Sequence, residues 1–171
     1  LDHFAIGTIG TKAAGVPFTI TVTAQDFNNN RVTSFNGTVT IVDGTGTLTP
    51  ATSGAFDLGQ WSGDVTIIQV MSNDQITVTN TAGSQTGNSN NFDVVAGNID
   101  HFEISNITTP KTAGVPFTVT IAAKDANNST VTGYTGTANL SDLTGTIDPM
   151  VTPNFTNGEW IGDVTITKSY T

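Results

Sequence analysis

The sequence predicts an all-β chain of two tandem β-sandwich modules, the second lacking its last strands. Three observations carry that prediction: the chain repeats itself, its apolar residues alternate with hydroxyl residues at a period of two, and turn residues cut it into short runs.

The repeat comes first. Asp2, His3 and Phe4 recur as Asp100, His101 and Phe102, at an offset of 98. From the run AGVPFT onward the offset is 99, so one residue is inserted in the first loop of the second copy. The register then holds: Asp26 matches Asp125, Gly37 Gly136, Pro50 Pro149, Phe56 Phe155 and Trp61 Trp160. The run GDVTI at Gly63 recurs unchanged at Gly162, and about half the positions between Ala14 and Ile67 are identical in the two copies. The modules are therefore 1–97 and 98–171.

Within a copy, the first strand is expected near 3–9. The next, opened by Pro17 and spanning 17–25, sets Phe18, Ile20, Val22 and Ala24 on one face and Thr19, Thr21 and Thr23 on the other; the second copy repeats it with Phe117, Val119, Ile121 and Ala123. Further strands are expected near 37–42 (Val39, Ile41), 54–58, 63–70 (Val65, Ile67), 75–80 (Ile76, Val78) and 91–96 (Phe92, Val94), and no stretch has helical spacing. Around seven short strands joined by Gly, Asn, Asp and Pro turns in under a hundred residues are the signature of an immunoglobulin-like two-sheet sandwich. Phe56 and Trp61, with their counterparts, are expected as large core or corner residues.

The junction Ala96, Gly97, Asn98, Ile99 is too short for a free linker, so end-to-end stacking of the modules into a rod is expected. Thr171 aligns with Ser72, so the second copy lacks counterparts of 75–80 and 91–96 and would expose open edges and an uncovered core face. Either the polypeptide continues, as repeat arrays do, or a neighbouring subunit donates the missing strands. The chain begins at Leu1 without an initiator Met or a signal peptide and is read as part of something longer.

Composition narrows the partners. Hydrophobic residues make up 36% and charged residues only 11%, so this folded chain solvates itself with hydroxyls and amides. A net charge of −9 with five Lys plus Arg cannot supply the phosphate contacts that nucleic acid needs, and anionic lipid is an equally poor partner. No apolar run reaches transmembrane length, so this segment does not insert in a membrane. Without Cys there is neither a disulfide nor thiolate chemistry, and each module relies on its packed core.

The segments AGVPFTITVTAQDFNNNRVTSFNGTVTI and AGVPFTVTIAAKDANNSTVTGYTGTANL resemble bacterial immunoglobulin-like repeats of the invasin and intimin type and related tandem surface-protein modules. Shared features are a strand ending in Asp, a short Asn turn, Val and Thr leading into the next strand, and a later Gly and aromatic pair before a closing strand. The resemblance covers both copies. It implies an extracellular, cell-surface stalk or adhesin built as an array, and it carries over no receptor-binding residue.

Little chemistry is expected. His3 and His101 hold matching positions in the first strand of each copy, as structural residues do, and no nucleophile elbow, zinc pattern or phosphate loop accompanies them. The ligand candidate is calcium: Asp26, Asn28 and Asn30 have the oxygen spacing that opens a calcium loop, and Asp125, Asn127 and Ser129 echo it. Asx turns explain the same residues without metal, and Asp43 and Asp142, or Asp2 and Asp100, could complete a site only if the fold brings them close. A Lys–Asn isopeptide bond is disfavoured, because the first copy offers only Lys12, in a predicted exposed loop. Asn36, Asn106, Asn128 and Asn154 sit in glycosylation sequons.

The reading is a non-catalytic stalk or adhesive repeat, its partners further repeats, neighbouring subunits, or a protein or glycan receptor. Its rivals are a pilin-like, filament-forming subunit completed by strand donation and an accessory or carbohydrate-binding spacer module of a secreted polysaccharide-degrading enzyme. The scarcity of Trp and Tyr counts against the last.

Overall fold

Residues 18–25 show why this chain forms sheets. Phe18, Ile20, Val22 and Ala24 are buried while the threonines between them face outward or lie half-buried, so one face of a pleated strand is apolar and must be covered. In the computed structural model, which describes residues 1–169, the chain is all-β and divides into two compact units, Leu1–Gly97 and Asn98–Thr171.

Unit 1 contains β1 (His3–Ile6), β2 (Lys12–Ala13), β3 (Phe18–Gln25), β4 (Val39–Val42), β5 (Gln60–Val65), β6 (Met71–Asp74), β7 (Thr77–Asn80), β8 (Thr86–Asn88) and β9 (Phe92–Val95). One antiparallel sheet has the order β1-β3-β5, with Phe4 opposite Ala24 and Val22 opposite Trp61. Opposing it are the ladders β2-β9-β6 and β4-β7-β8. Asn73, at a φ of 55°, lies in β6, and the segment running from β6 into β7 changes partner along its length: β6 pairs with β9, β7 with β4 and β8. Across the change, the Ile76 N–H donates to Ser89 Oγ at 3.0 Å and the Ser89 N–H to the Ile76 carbonyl at 2.9 Å. Side chains of both layers meet in one core, Phe4, Ile20 and Val22 from one side and Ile41, Ile76, Val78 and Phe92 from the other. This arrangement is consistent with an immunoglobulin-like sandwich.

Unit 2 contains β10 (His101–Ile104), β11 (Phe117–Lys124), β12 (Ile147–Asp148) and β13 (Glu159–Ile166), in the sheet order β10-β11-β13-β12. Its register repeats that of unit 1: Phe117 faces Val164 as Phe18 faces Val65, and His101 faces Lys124 as His3 faces Gln25. An aromatic trio is also shared. The Phe4, Phe35 and Phe56 rings lie 5.0–5.7 Å apart, and those of Phe102, Tyr134 and Phe155 lie 5.2–5.6 Å apart. Phe155 and Trp160 are buried in the core of unit 2, and Phe56 is buried with Trp61 packed half-buried against the core in unit 1.

Several expected elements differ. Residues 54–58 form no strand: Phe56 is buried and its N–H donates to the Gly37 carbonyl, but the chain then turns through Leu58 and Gly59, both at positive φ. That turn needs glycine, since a Cβ on Gly59 would sit 2.2 Å from the Val32 carbonyl oxygen. The strand expected at 63–70 begins at Gln60 instead, where pairing with Thr23 starts. The strand expected at 3–9 stops at Ile6, and the chain crosses to the other layer, where Lys12 and Ala13 run parallel to β9. Lys12 is therefore not in an exposed loop. It is half-buried in β2, its ammonium 5.2 Å from the Phe18 ring centroid.

Candidate functional site

The Asp26 loop follows directly from the end of β3. The Asp26 N–H donates to the Asn30 carbonyl, and the Asn29 N–H donates back to the Asp26 carbonyl with Asn29 in the left-handed region. Asp26 Oδ1 accepts the N–H groups of Asn28 (2.9 Å) and Asn30 (2.8 Å), and Oδ2 accepts the Asn30 side-chain amide at 3.1 Å. The backbone donor of Asn30, then its side chain, hold this carboxyl below its ordinary value. The carboxylate thus serves an Asx-type turn. In unit 2 the turn is rebuilt: Asp125 Oδ1 accepts from Asn127 (2.9 Å) and Ser129 (2.8 Å), and Asp125 is only 1% exposed. Among the described residues, no group of three or more His, Asp or Glu side chains comes together in a way that could hold an ion.

A second repeated loop is organised by Asp43 and Asp142. Asp43 Oδ2 accepts from the Thr45 hydroxyl and N–H, and Oδ1 from the Leu48 N–H. Asp142 Oδ2 accepts from the Thr144 hydroxyl (2.5 Å) and N–H (2.8 Å), while Oδ1 accepts from Thr146 (2.7 Å) and Ile147 (2.9 Å). Led by the Thr144 hydroxyl, these donors lower the Asp142 carboxyl to about 2. Among the described residues, His3 bonds Asp2 and Gln25, and His101 bonds Asp100, each at 3.0 Å.

One buried group has no sequence signal. Asp74 is fully buried where β6 ends, and its Oδ1 accepts from Gly44 and Gln75, each at 2.8 Å, while Oδ2 has no partner.

The largest difference between the units is the open apolar face of unit 2. Phe18, Ile41, Leu48 and Ile67 are buried in unit 1, whereas their counterparts Phe117, Leu140, Ile147 and Ile166 are half-buried. They line a groove of about 350 Å³, adjoined by a second of about 530 Å³ that shares Ile107, Phe117, Asp142 and Ile166. An apolar face of this kind can take up another polypeptide. Which side chains line it could not be read from the alignment of the two copies.

No protein-family model matches the chain, and no curated protein matches it. Solved structures do. The adhesin FdeC of Escherichia coli is 18% identical over 98% of this chain and 56% of its own, with a TM-score of 0.51. Domains 4–9 of the surface layer protein SbsC are 19% identical over the whole chain with a TM-score of 0.41, and invasin, described as a bacterial integrin-binding protein, is 16% identical over 96% of it with a TM-score of 0.44. The chain spans 28% of that SbsC structure and 34% of the invasin structure. At such identities the likeness to FdeC is one of fold, and it places this chain's architecture beside the modules of a surface adhesin.

Proposed function

We propose that this chain is a non-catalytic segment of an extracellular surface protein, in which 1–97 and 98–171 are successive immunoglobulin-like modules of a tension-bearing stalk or adhesive array. The observation that carries this reading is the same strand register built twice in succession, with the same turn carboxylates. The fold likeness to an adhesin supports it. So does the way unit 1 is tied at its ends: β2, near its start, runs parallel to β9, near its end, and the Ala14 N–H donates to the Val95 carbonyl at 2.8 Å. Pulling the ends of such a module loads these bonds together, in shear. Outward Thr and Ser hydroxyls pair across the sheet, as Thr21 with Ser62 at 3.0 Å, giving a polar surface with little charge.

Force spectroscopy on the chain held at its termini tests the proposal. Unit 1 is expected to open in one cooperative step, releasing roughly 280 Å of contour from the residues between Ala13 and Val95. Gradual extension without a step would contradict a tension-bearing role.

A further inference from the structure

We propose that the end of unit 1 formed by the turns at 26–29 and 57–60 is a self-complementary contact surface, and that its partner is the same end of a second copy of this chain. Four exposed side chains carry it: Phe27, Arg31, Asp57 and Leu58. Phe27 is 82% exposed and Leu58 63%, and two large apolar side chains on neighbouring turns are informative in a way that one surface leucine is not. Arg31, the only arginine of the chain, ties the turns together: its Nε donates to the Leu58 carbonyl at 2.5 Å and its Nη2 to the Asp57 carbonyl at 3.1 Å. These bonds hold the guanidinium beside Leu58 and leave it further N–H groups to donate. Among the described residues no carboxylate forms an ion pair with Arg31, and no cation forms one with the Asp57 carboxylate.

Unit 2 builds the same two turns without any of these side chains. The pairing of Asp57 with Gln60 recurs as Thr156 with Glu159, and Leu58-Gly59, at φ 45° and 78°, recurs as Asn157-Gly158, at 52° and 76°. A hairpin turn with two left-handed residues selects Asn-Gly, whereas a leucine at its first position is sterically disfavoured. The turn itself therefore does not ask for Leu58. Phe27 is replaced by Ala126, and Arg31 by Thr130, whose hydroxyl accepts from Lys124 Nζ at 3.0 Å. Leu58 and Phe27 thus work against the isolated fold, and they flank the one arginine. Departures from local preference that gather on one surface point to an interaction there.

The chemistry of this surface identifies its occupant. Arg31 lacks a carboxylate, and Asp57, whose carbonyl already touches the guanidinium, offers an exposed one. Across a two-fold axis Arg31 of each copy meets Asp57 of the other, and Phe27 and Leu58 of both copies are shielded from water between the two pairs. Aromatic and arginine side chains are the ones that dominate such contacts. A chain of net charge −9 otherwise repels its copies, and this end supplies the cation that a like-charged partner needs. The inference goes beyond the stalk reading and stands even if unit 1 does not open in one step under force.

Sedimentation velocity and amide NMR of the full chain, from about 10 µM to about 1 mM, test it. A reversible dimer is expected, with concentration-dependent shifts gathered at 26–31 and 57–60. Phe27→Ala and Leu58→Asn are each expected to weaken dimerisation at least about tenfold. Arg31→Glu and Asp57→Arg chains are each expected to stay monomeric, and an equimolar mixture of the two to dimerise again, because every changed charge then faces its opposite. Should Arg31→Glu disturb the 57–60 turn, Leu58→Asn decides the matter, since unit 2 already forms that turn with Asn157. A chain that stays monomeric over the whole range, dimerisation that survives Leu58→Asn, shifts confined to unit 2, or a mixture of intact variants that does not recover would each overturn the proposal. Shifts at 26–31 and 57–60 on adding N-acetylneuraminic acid to a monomeric chain would overturn it in favour of a carboxylated sugar.

Discussion

A Cβ placed on Gly87 would lie 2.1 Å from the carbonyl oxygen of Phe4 and 2.8 Å from the Phe4 Cβ. This contact brings β8 flush against β1 and closes the edge of unit 1 over the Phe4 ring. Phe4 is 2% exposed, whereas Phe102, its counterpart with no equivalent of β8 beside it among the described residues, is 39% exposed. Gly87→Ala must therefore push backbone from backbone, and it is expected to destabilise unit 1 by about 3 kcal/mol, the upper end of ordinary overpacking. Gly10, with open space around it, is the control, and Gly10→Ala is expected to stay within about 0.5 kcal/mol. Urea denaturation checks both.

Matched positions should carry unequal weight in the two units. Ile41 is fully buried and Leu140 is half-buried. Ile41→Ala is expected to cost about 2–5 kcal/mol by leaving a cavity in a closed core, and Leu140→Ala less than half as much, because part of that side chain already faces water. Equal losses would mean that the groove is closed in solution.

The turn carboxylates differ in the same way. Asp125→Ala strips acceptors from the Asn127 and Ser129 N–H groups beside a buried side chain, and a loss of roughly 1–3 kcal/mol in unit 2 is expected. Asp26→Ala should cost less, since water reaches the N–H groups it frees. Thermal unfolding of each variant measures the difference.

Asp142 is expected to make unit 2 sensitive to acid. Its carboxyl is held at about 2, below the ordinary 3.8, so the stability it contributes is present in full above the ordinary value and disappears as pH falls through the lowered one. A carboxyl-carbon titration is expected to place its midpoint near 2, and Asp142→Asn is expected to flatten the loss of unit 2 stability over that window. A midpoint near 3.8 would remove the Thr144 hydroxyl as the cause.

Much of this architecture could be read from side-chain alternation. In β3 and β11 every second residue points to the core, so pattern and structure coincide, and the repeat fixed the matching of Phe18 with Phe117 and of Trp61 with Trp160. Phe56 misled because a buried aromatic beside Ala55 resembles a strand, whereas Leu58 and Gly59 impose a turn. β2 and β8 are two or three residues long and contain Lys12 and Gly87, so they exist through pairing with distant partners and leave no periodic trace. The irregular pairing of β6 with β9 falls at the left-handed Asn73, and the buried Asp74 reads in sequence as an ordinary turn residue.

Native-state hydrogen exchange on the intact chain weighs the closed core directly against the open one. If the cover formed by residues 71–95 is worth about 3 kcal/mol, the β11 amides around Ile121 should exchange roughly 100-fold faster than the β3 amides around Val22. Equal protection at the two positions would show that unit 2 needs no cover, and the account of an open module would fall with it.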